Sequence, residues 1–480
     1  MALATICSST SNQHDFMGFI VDHKLRRGSG EEAKKAASEL ERLNIRAQIL
    51  ELDWGAYGDL KTLTNLETIA RRLRYQALGR ACYRQGIQQL LVGHHADDQA
   101  ETVLSRICAN YLGTGLQGIQ IVANIPECRG IYGVDHSGMP RTYVDPKGGT
   151  EIVIEDGGVK ILRPLLNFSK NQLVRVCEEA NTTWFDDKTN SDTSLTVRNT
   201  LRLLLKQNLL PRALKQDSLC QLATRMVQRN ERVRQRAAQL LEDTSINMLW
   251  RSGGVECSLN SLHRYRDESE SVKAVILRKL LCLVRSDKDI SLKDLDHAVE
   301  FVFPENQKAY AIRAGITISG VYMQIKSAGA LEDSESPKLV LEMLRQPRPR
   351  SEQTELDLGA REHYNEEDGL FWTQWHLYDG QYWIRAASIE ESSKAKRYRV
   401  LVRDLSDKPA GIMNSDDWHD IKRTVALPDY IRRQLPTILL DQNGQHKLLA
   451  LPSVDYRKRK PGPTVRNYTW QIRYQHVRLP

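Results

Sequence analysis

The chain has 480 residues and a mass of 54.8 kDa, too long for one ordinary core, so about two to four domains are expected. Hydrophobic residues make up 41% and charged residues 27%, and no stretch approaches the ~18 uninterrupted apolar residues of a membrane helix, which argues against an integral membrane protein. The 68 Lys and Arg against 60 Asp and Glu leave +8, which suits a polyanionic partner without identifying one.

The eight cysteines are scattered with no CxxC pair, the usage of a reducing compartment rather than of a disulfide framework or zinc knuckle. Met1 to Ser9 lacks a basic n-region, a long apolar core and the Arg-rich character of a transit peptide, so no targeting signal is visible there.

In chain order, short apolar runs alternate with helical periodicity up to about Leu112, the reading of a parallel βα sheet. Phe16–Val21 reads as a strand ending at Asp22-His23, and Gly30–Leu43 as a helix with Ala33, Ala36, Ala37 and Leu40 on one face. Ala47–Leu52 is a second strand, Leu66–Gln85 a helix, Gln89–Gly93 a third strand and Asp97–Tyr111 another helix. Polar residues cluster just after the strand ends, where open α/β sheets bind ligands.

Asn124–Lys160, rich in Gly and Pro, reads as an insertion in which Glu151–Glu155 forms a hairpin with Lys160–Leu162. Arg163 to Asp243 is helical and basic, with arginines at 225, 229, 232, 234 and 236. Beyond it come a helix at Ser269–Arg285 and strands within Lys308–Ile325. Residues 341–370, including Arg345-Gln-Pro-Arg-Pro-Arg350, read as a linker, and Trp372–Pro480 as β-rich. The expected domains are therefore 1–215, interrupted at about 124–160, then 216–340 and 371–480.

The sharpest local signal is His94-His95-Ala-Asp97-Asp98-Gln99-Ala-Glu101-Thr102, directly after a strand and opening a helix. His94, Asp98 and Glu101 fall at i, i+4 and i+7 and are expected on one face. A carboxylate there can hold Mg²⁺ against phosphates, a second can receive an ammonium group, and a histidine can move a proton. The same residue types also ligate metals in hydrolases, so the motif alone leaves both chemistries open. Upstream, Glu67, Arg71 and Arg74/Tyr75 share a helix face on which an arginine pair can clamp phosphates or simply pair with Glu67.

Asp22-His23 with Leu25-Arg26, the Asn65/Glu67/Ala70-Arg71/Arg74-Tyr75 set, the His94–Thr102 motif, Arg163-Pro-Leu-Leu166, and Trp184-Phe-Asp-Asp187 followed by Arg198-Asn199 and Arg202 stand in the order seen in tRNA(Ile)-lysidine synthases. The chain resembles that family over roughly Met1–Leu210, and more weakly over Ser269–Ile325 and Ile431–Val454. The resemblance implies an α/β parallel-sheet PP-loop domain (adenine nucleotide alpha hydrolase-like), a helical region and a β-rich C-terminal domain. It implies an ATP pyrophosphatase-type ligase that adenylates C2 of the wobble cytidine in CAU-anticodon tRNA(Ile) and lets the amino group of free lysine displace AMP. ATP and Mg²⁺ are the implied cofactors, tRNA(Ile) and lysine the partners, and a homodimer is compatible with it.

On that resemblance His94, Asp98 and Glu101 are the catalytic set, with Asp98 the Mg²⁺ ligand and Glu101 the lysine site. Asp22, His23, Arg71 and Arg74 are assigned to the nucleotide, and Asn65, Glu67, Arg163, Arg198, Arg202, Arg232 and Arg236 to substrate or tRNA. The basic, aromatic-rich stretch Asp455–Pro480 suits loop RNA.

The family's Ser-Gly-Gly-x-Asp-Ser loop after the first strand is missing, and Met1–Cys7 looks like the helix that comes after it. The chain is thus expected to begin one element late, without the backbone N–H cradle for ATP phosphates. Two alternatives arise: a catalytically silent tRNA-binding homologue, or another tRNA-modifying PP-loop enzyme, although thiolating relatives use paired cysteines that are not evident here. The expected compartment is cytoplasmic or mitochondrial.

Overall fold

The computed structural model describes residues 1–10, 15–58, 60, 63–144, 151–185, 197–207, 209–285, 290–304, 315–328, 338–346, 355–360, 363–389, 399–405, 415–457 and 467–475. They form two units, Met1–Met139 with Gly157–Arg232, and Pro140–Asp156 with Val233–Pro480. No helix among the described residues is long and apolar enough to cross a membrane.

The first unit runs α1 (Ala2–Ser9), β1 (Met17–Asp22), α2 (Ser29–Arg42), β2 (Arg46–Glu51), α3 (Leu66–Arg84), β3 (Gln89–Leu91), α4 (Ala96–Cys108) and β4 (Val122–Asn124). After β5 (Arg141–Val144) and β6 (Glu151–Ile154), which belong to the second unit, it resumes with β7 (Lys160–Leu162), α5 (Lys170–Glu179), α6 (Val197–Lys206) and the first half of α7 (Gln216–Glu242). Parallel pairing joins β1 to β2 and β3 to β7, with β4 antiparallel to β7. Each parallel pair is linked through helices, as parallel neighbours require. Phe19, Val21 and Leu50 pack with Leu90 and Ile161 against Tyr75, Leu78 and Cys82 of α3, so both strand pairs share one core. Gly18 lets α2 approach β1, since a Cβ there would stand 2.5 Å from the Leu40 side chain.

The second unit starts with a five-stranded sheet ordered β10 (Ile316–Ile318), β11 (Val321–Ala328), β12 (Lys338–Arg345), β9 (Gly254–Ser258), β8 (Ile246–Leu249). Helix α9, which comes after the short α8 (Leu259–His263) and spans Glu270–Val284, lays Ile276, Leu277, Leu280 and Leu281 onto the same core as Val255, Val321 and Leu341. Two further sheets pack face to face. One is ordered β13 (Leu356–Asp357), β18 (Arg399–Asp404), β19 (Pro436–Gln442), β20 (Gln445–Leu451), β21 (Tyr456–Arg457). The other is ordered β14 (His363–Asn365), β15 (Leu370–Trp372), β17 (Tyr382–Ser388), β22 (Tyr468–Tyr474), β6, β5, with β16 (His376–Tyr378) also on β17. Ile384 and Trp470 from one meet Val400 and Ile438 from the other, because alternate residues of each strand face the interior.

Three expectations are corrected. Glu151–Glu155 does not pair with Lys160–Leu162: β6 pairs with β5, and its end runs parallel to β22, with the Glu155 N–H donating to the Tyr474 carbonyl at 2.8 Å. Leu341–Arg345 is no linker but the second half of β12, with Leu341 and Met343 fully buried, and β13, β14 and the start of β15 also fall between residues 341 and 370. The boundary expected at 215/216 falls instead inside α7, because Leu219 and Ala223 pack with Ala100, Val103 and Leu104 of α4.

Candidate nucleotide and amino-acid site

The parallel pairing of β3 and β7 brings their C-terminal ends side by side, with His94 and His95 following one strand and Arg163 the other. The Ala96 N–H at the start of α4 donates to the Phe168 carbonyl at 2.9 Å, tying the two post-strand loops together. Asp22 and His23 stand at the end of β1.

Helix α4 does not begin where the i, i+4, i+7 spacing assumes. His95 is its N-cap, in extended backbone, and the half-buried His94 lies in the loop before it, off the helical face shared by Asp98 and Glu101. Asp98 is the third residue of the helix and its Oδ2 accepts the His95 N–H at 3.0 Å, the reciprocal arm of a capping box. The His95 ring sits between two carboxylates, Nδ1 3.4 Å from Asp97 and Nε2 3.5 Å from Asp98. His95 is thus a site residue that motif reading passed over; a polar residue followed three positions later by an acid, just before an apolar helical run, is the signal that could have found it.

Asp97 also accepts the Lys170 N–H at 2.9 Å and Gln216 Nε2 at 3.1 Å. The hydrogen bond from His95, offset by burial and assisted by Lys170, pulls its pKa down to about 2. Burial works against a charged His95, but the Asp97 hydrogen bond and the two nearby carboxylates outweigh it and raise its pKa. The signs set a window: Asp97 contributes stability above its ordinary value of 3.8 that is lost as pH falls toward about 2, and His95 contributes stability below 6.5 that is lost as pH rises through its raised pKa. Denaturant melts at about pH 3, 5.5 and 8 are expected to show the middle value highest, with the acid limb flattened by Asp97→Asn. Superimposable profiles for the two chains would contradict this coupling.

One turn beyond Asp98, Glu101 is 3% exposed, and its Oε2 receives Arg202 Nε from α6 at 2.6 Å. Arg202 Nη2 also lies 3.9 Å from Asp98 Oδ1. Leu201 beside it packs on Ala100, Val103 and Leu104, which fixes α6 against α4. Residues about 100 positions apart in sequence thus form one cluster, Asp98, Glu101 and Arg202.

A second cluster gathers around buried Tyr75, with the Arg71 and Arg74 guanidinium carbons 4.9 and 5.2 Å from its ring centroid. Arg71 pairs with Glu127 at 3.3 Å. Arg163, 8% exposed, donates Nη1 to the Gln120 carbonyl at 2.7 Å, while its Nε is buried with no partner among the described residues. Burial lowers the Arg163 pKa, Tyr75 opposes this, and the positive charge of Arg71 adds to it. Such a concentration of guanidinium groups, one of them with an unused N–H, suits an oxyanion.

The remaining assignments scatter. Asp22 is 5% exposed and already engaged, its pKa lowered by a hydrogen bond from Ser29 against burial, with the Lys24 N–H adding a further bond. The His23 carbonyl accepts Trp54 Nε1 at 2.8 Å. Asn65 and Glu67 are exposed at the start of α3, and Arg232 is exposed on α7. Arg236 is held by Glu268 at 2.9 Å. The Arg198 side chain and most of the basic C-terminal stretch lie outside the described residues.

Residues 1–209 match the PP-loop domain family. A probable tRNA(Ile)-lysidine synthase of Schizosaccharomyces pombe is 27% identical over 448 residues, 93% of this chain and 86% of the relative. The tRNA(Ile)-lysidine synthases of Methylobacterium nodulans and Bradyrhizobium diazoefficiens are 32% and 31% identical over 235 and 213 residues, spanning 58% and 48% of those relatives. The chain is thus similar, over most of its length, to a probable tRNA(Ile)-lysidine synthase. The match of residues 1–209 to the PP-loop domain implies use of ATP. No group of three or more His, Cys, Asp or Glu side chains among the described residues is arranged to hold a metal ion. The donor chemistry at Asp98 is still that of a nucleotide-borne Mg²⁺, which takes one or two carboxylates and completes its shell with phosphate oxygens and water.

Proposed function

We propose that the chain is an ATP-dependent ligase that joins lysine to C2 of the wobble cytidine in CAU-anticodon tRNA(Ile). The observation that carries this reading is the buried Glu101, set one helical turn from Asp98 at the mouth of the parallel strands. The names of the relatives supply the tRNA and the modification, and the PP-loop domain supplies ATP as the activating reagent.

A cytidine C2 oxygen is a poor leaving group, and adenylation makes it a good one. The C2 oxygen attacks the α-phosphorus and pyrophosphate departs. The lysine amino nitrogen then adds to C2, the C2–O bond breaks with AMP as leaving group, and the nitrogen gives up a proton. Arg71, Arg74 and Arg163 have the chemistry to take the phosphates, and Asp98 Oδ1, the oxygen its cap does not use, would hold Mg²⁺ arriving with the nucleotide. Glu101 binds the amino acid, and His94, in the strand-end loop, accepts the proton.

Pyrophosphate release tests the activation step without lysine. The full chain with ATP and Mg²⁺ is expected to release pyrophosphate when given a CAU-anticodon tRNA and not its GAU counterpart. Release that ignores the anticodon, or none from folded protein, would reject the reading.

A further inference from the structure

Gln99 and Arg106 stand seven residues apart on α4, two turns along one side of the helix, and that side differs from the one carrying Asp98 and Glu101. Both reach the segment that follows the helix in the chain. Arg106 donates Nη1 to the Gly115 carbonyl and, at 3.2 Å, to that of Gly118. Gln99, 8% exposed, satisfies both backbone groups of Ile119: its Oε1 accepts the Ile119 N–H at 2.6 Å and its Nε2 donates to the Ile119 carbonyl at 3.2 Å. The segment lies so close that residue 118 must be glycine, because its φ is +63° and a Cβ there would collide with Gln99 Oε1.

This clasp bears on Arg163. The antiparallel pairing of β4 with β7 ends at Val122 and Leu162, and the Ile121 carbonyl extends it by accepting the Arg163 N–H at 2.9 Å. Gln120 lies beyond the end of that pairing and next to the clasped Ile119, and its carbonyl accepts Arg163 Nη1 at 2.7 Å. With Nη1 spent on a carbonyl, the edge left for a two-pronged grip is the one formed by Nε and Nη2, and Nε is the buried donor with no partner among the described residues. We propose that Gln99 is a positioning residue for Arg163: by holding both polar groups of Ile119 it aims the Gln120 carbonyl, and that carbonyl turns the guanidinium so that its Nε–Nη2 edge meets a phosphate of ATP. A guanidinium grips an oxyanion through two parallel N–H donors, so losing its orientation weakens the grip even though its charge is unchanged. The inference rests on the ligation proposed above, in which Arg163 takes phosphate, and adds the residue that sets how Arg163 is presented.

The test follows pyrophosphate release from the full chain at saturating CAU tRNA while ATP is varied. Gln99→Met keeps the length of the side chain and removes both hydrogen bonds. It is expected to raise the KM of ATP at least about tenfold, the scale of one charge-assisted hydrogen bond, and to leave the KM of tRNA unchanged. A residue needed only for folding would lower the active fraction, and with it kcat, without moving KM. Gly118→Ala forces the clasp apart from the other side, is expected to act in the same direction, and serves where Gln99→Met does not fold. Arg163→Met should raise the KM of ATP by at least as much, and adding Gln99→Met to it should produce no further rise, because the two act through one contact. A KM of ATP unmoved by Gln99→Met, by Gly118→Ala or by Arg163→Met in folded chain, multiplying effects in the double variant, or a rise confined to the KM of tRNA each overturn the positioning role and leave the ligation standing. Absence of tRNA-dependent pyrophosphate release from the unaltered chain defeats the ligation itself.

Discussion

Glu101→Ala is expected to reduce kcat/KM for lysine by at least about a hundredfold and to cost the first unit about 3 kcal/mol. The two effects have separate origins. The loss of activity follows from removing the buried carboxylate proposed to receive the substrate. The loss of stability follows from leaving Arg202, otherwise bonded at 2.6 Å, partly buried without its partner. The figure is taken at the low end of the range for a broken buried pair because Arg202 keeps 29% of its side-chain surface in solvent. Glu101→Gln separates the two, since an amide oxygen still accepts the Arg202 N–H while the charge is gone. Its melting temperature should stay close to that of the unaltered chain while its activity falls with the alanine variant. An active Gln variant would remove Glu101 from the chemistry.

Glu155→Ala is expected to cost the second unit about 3–5 kcal/mol, a drop on the order of 10 °C in melting temperature. Glu155 is fully buried and pairs with Arg473 at 2.7 Å, and the Arg473 guanidinium carbon lies 4.3 Å from the Trp375 ring centroid. Removing the carboxylate leaves a guanidinium that is 21% exposed with its stacking partner but without this counter-charge. The double variant Glu155→Leu with Arg473→Met should recover most of the loss, because replacing both charges removes the desolvation cost along with the attraction. Thermal unfolding of the three chains checks this, and a single variant within about 1 kcal/mol of the unaltered chain would show that the pair contributes little.

The order β1, α2, β2, α3, β3, α4 was legible to within one to three residues, because apolar runs such as Phe19–Val21 and the helical stripe of Ala33 and Leu40 are local signals. Partnership of strands is not local. β6 joins β22 more than 300 residues away, through Ile154 and Tyr474, and nothing in its own alternation names that neighbour. The proline-rich tail of β12 hid a strand because Pro347 and Pro349 lie just beyond Arg345, and composition averaged over the window masked Leu341 and Met343. At the site, Asp98, Glu101 and Arg202 could each be singled out by motif, but their meeting depends on how α6 packs on α4. The position of His94 was misread for a smaller reason: α4 begins at Ala96, two positions after His94, so helical spacing counted from His94 assigns it to a face that it does not share.

The most direct measurement is mass analysis of the wobble nucleoside after a CAU-anticodon tRNA(Ile) transcript is incubated with the full chain, ATP, Mg²⁺ and isotopically labelled lysine. A labelled adduct is expected at that cytidine alone, strictly dependent on ATP. An unchanged nucleoside in the presence of folded protein, or label deposited elsewhere in the tRNA, would contradict it.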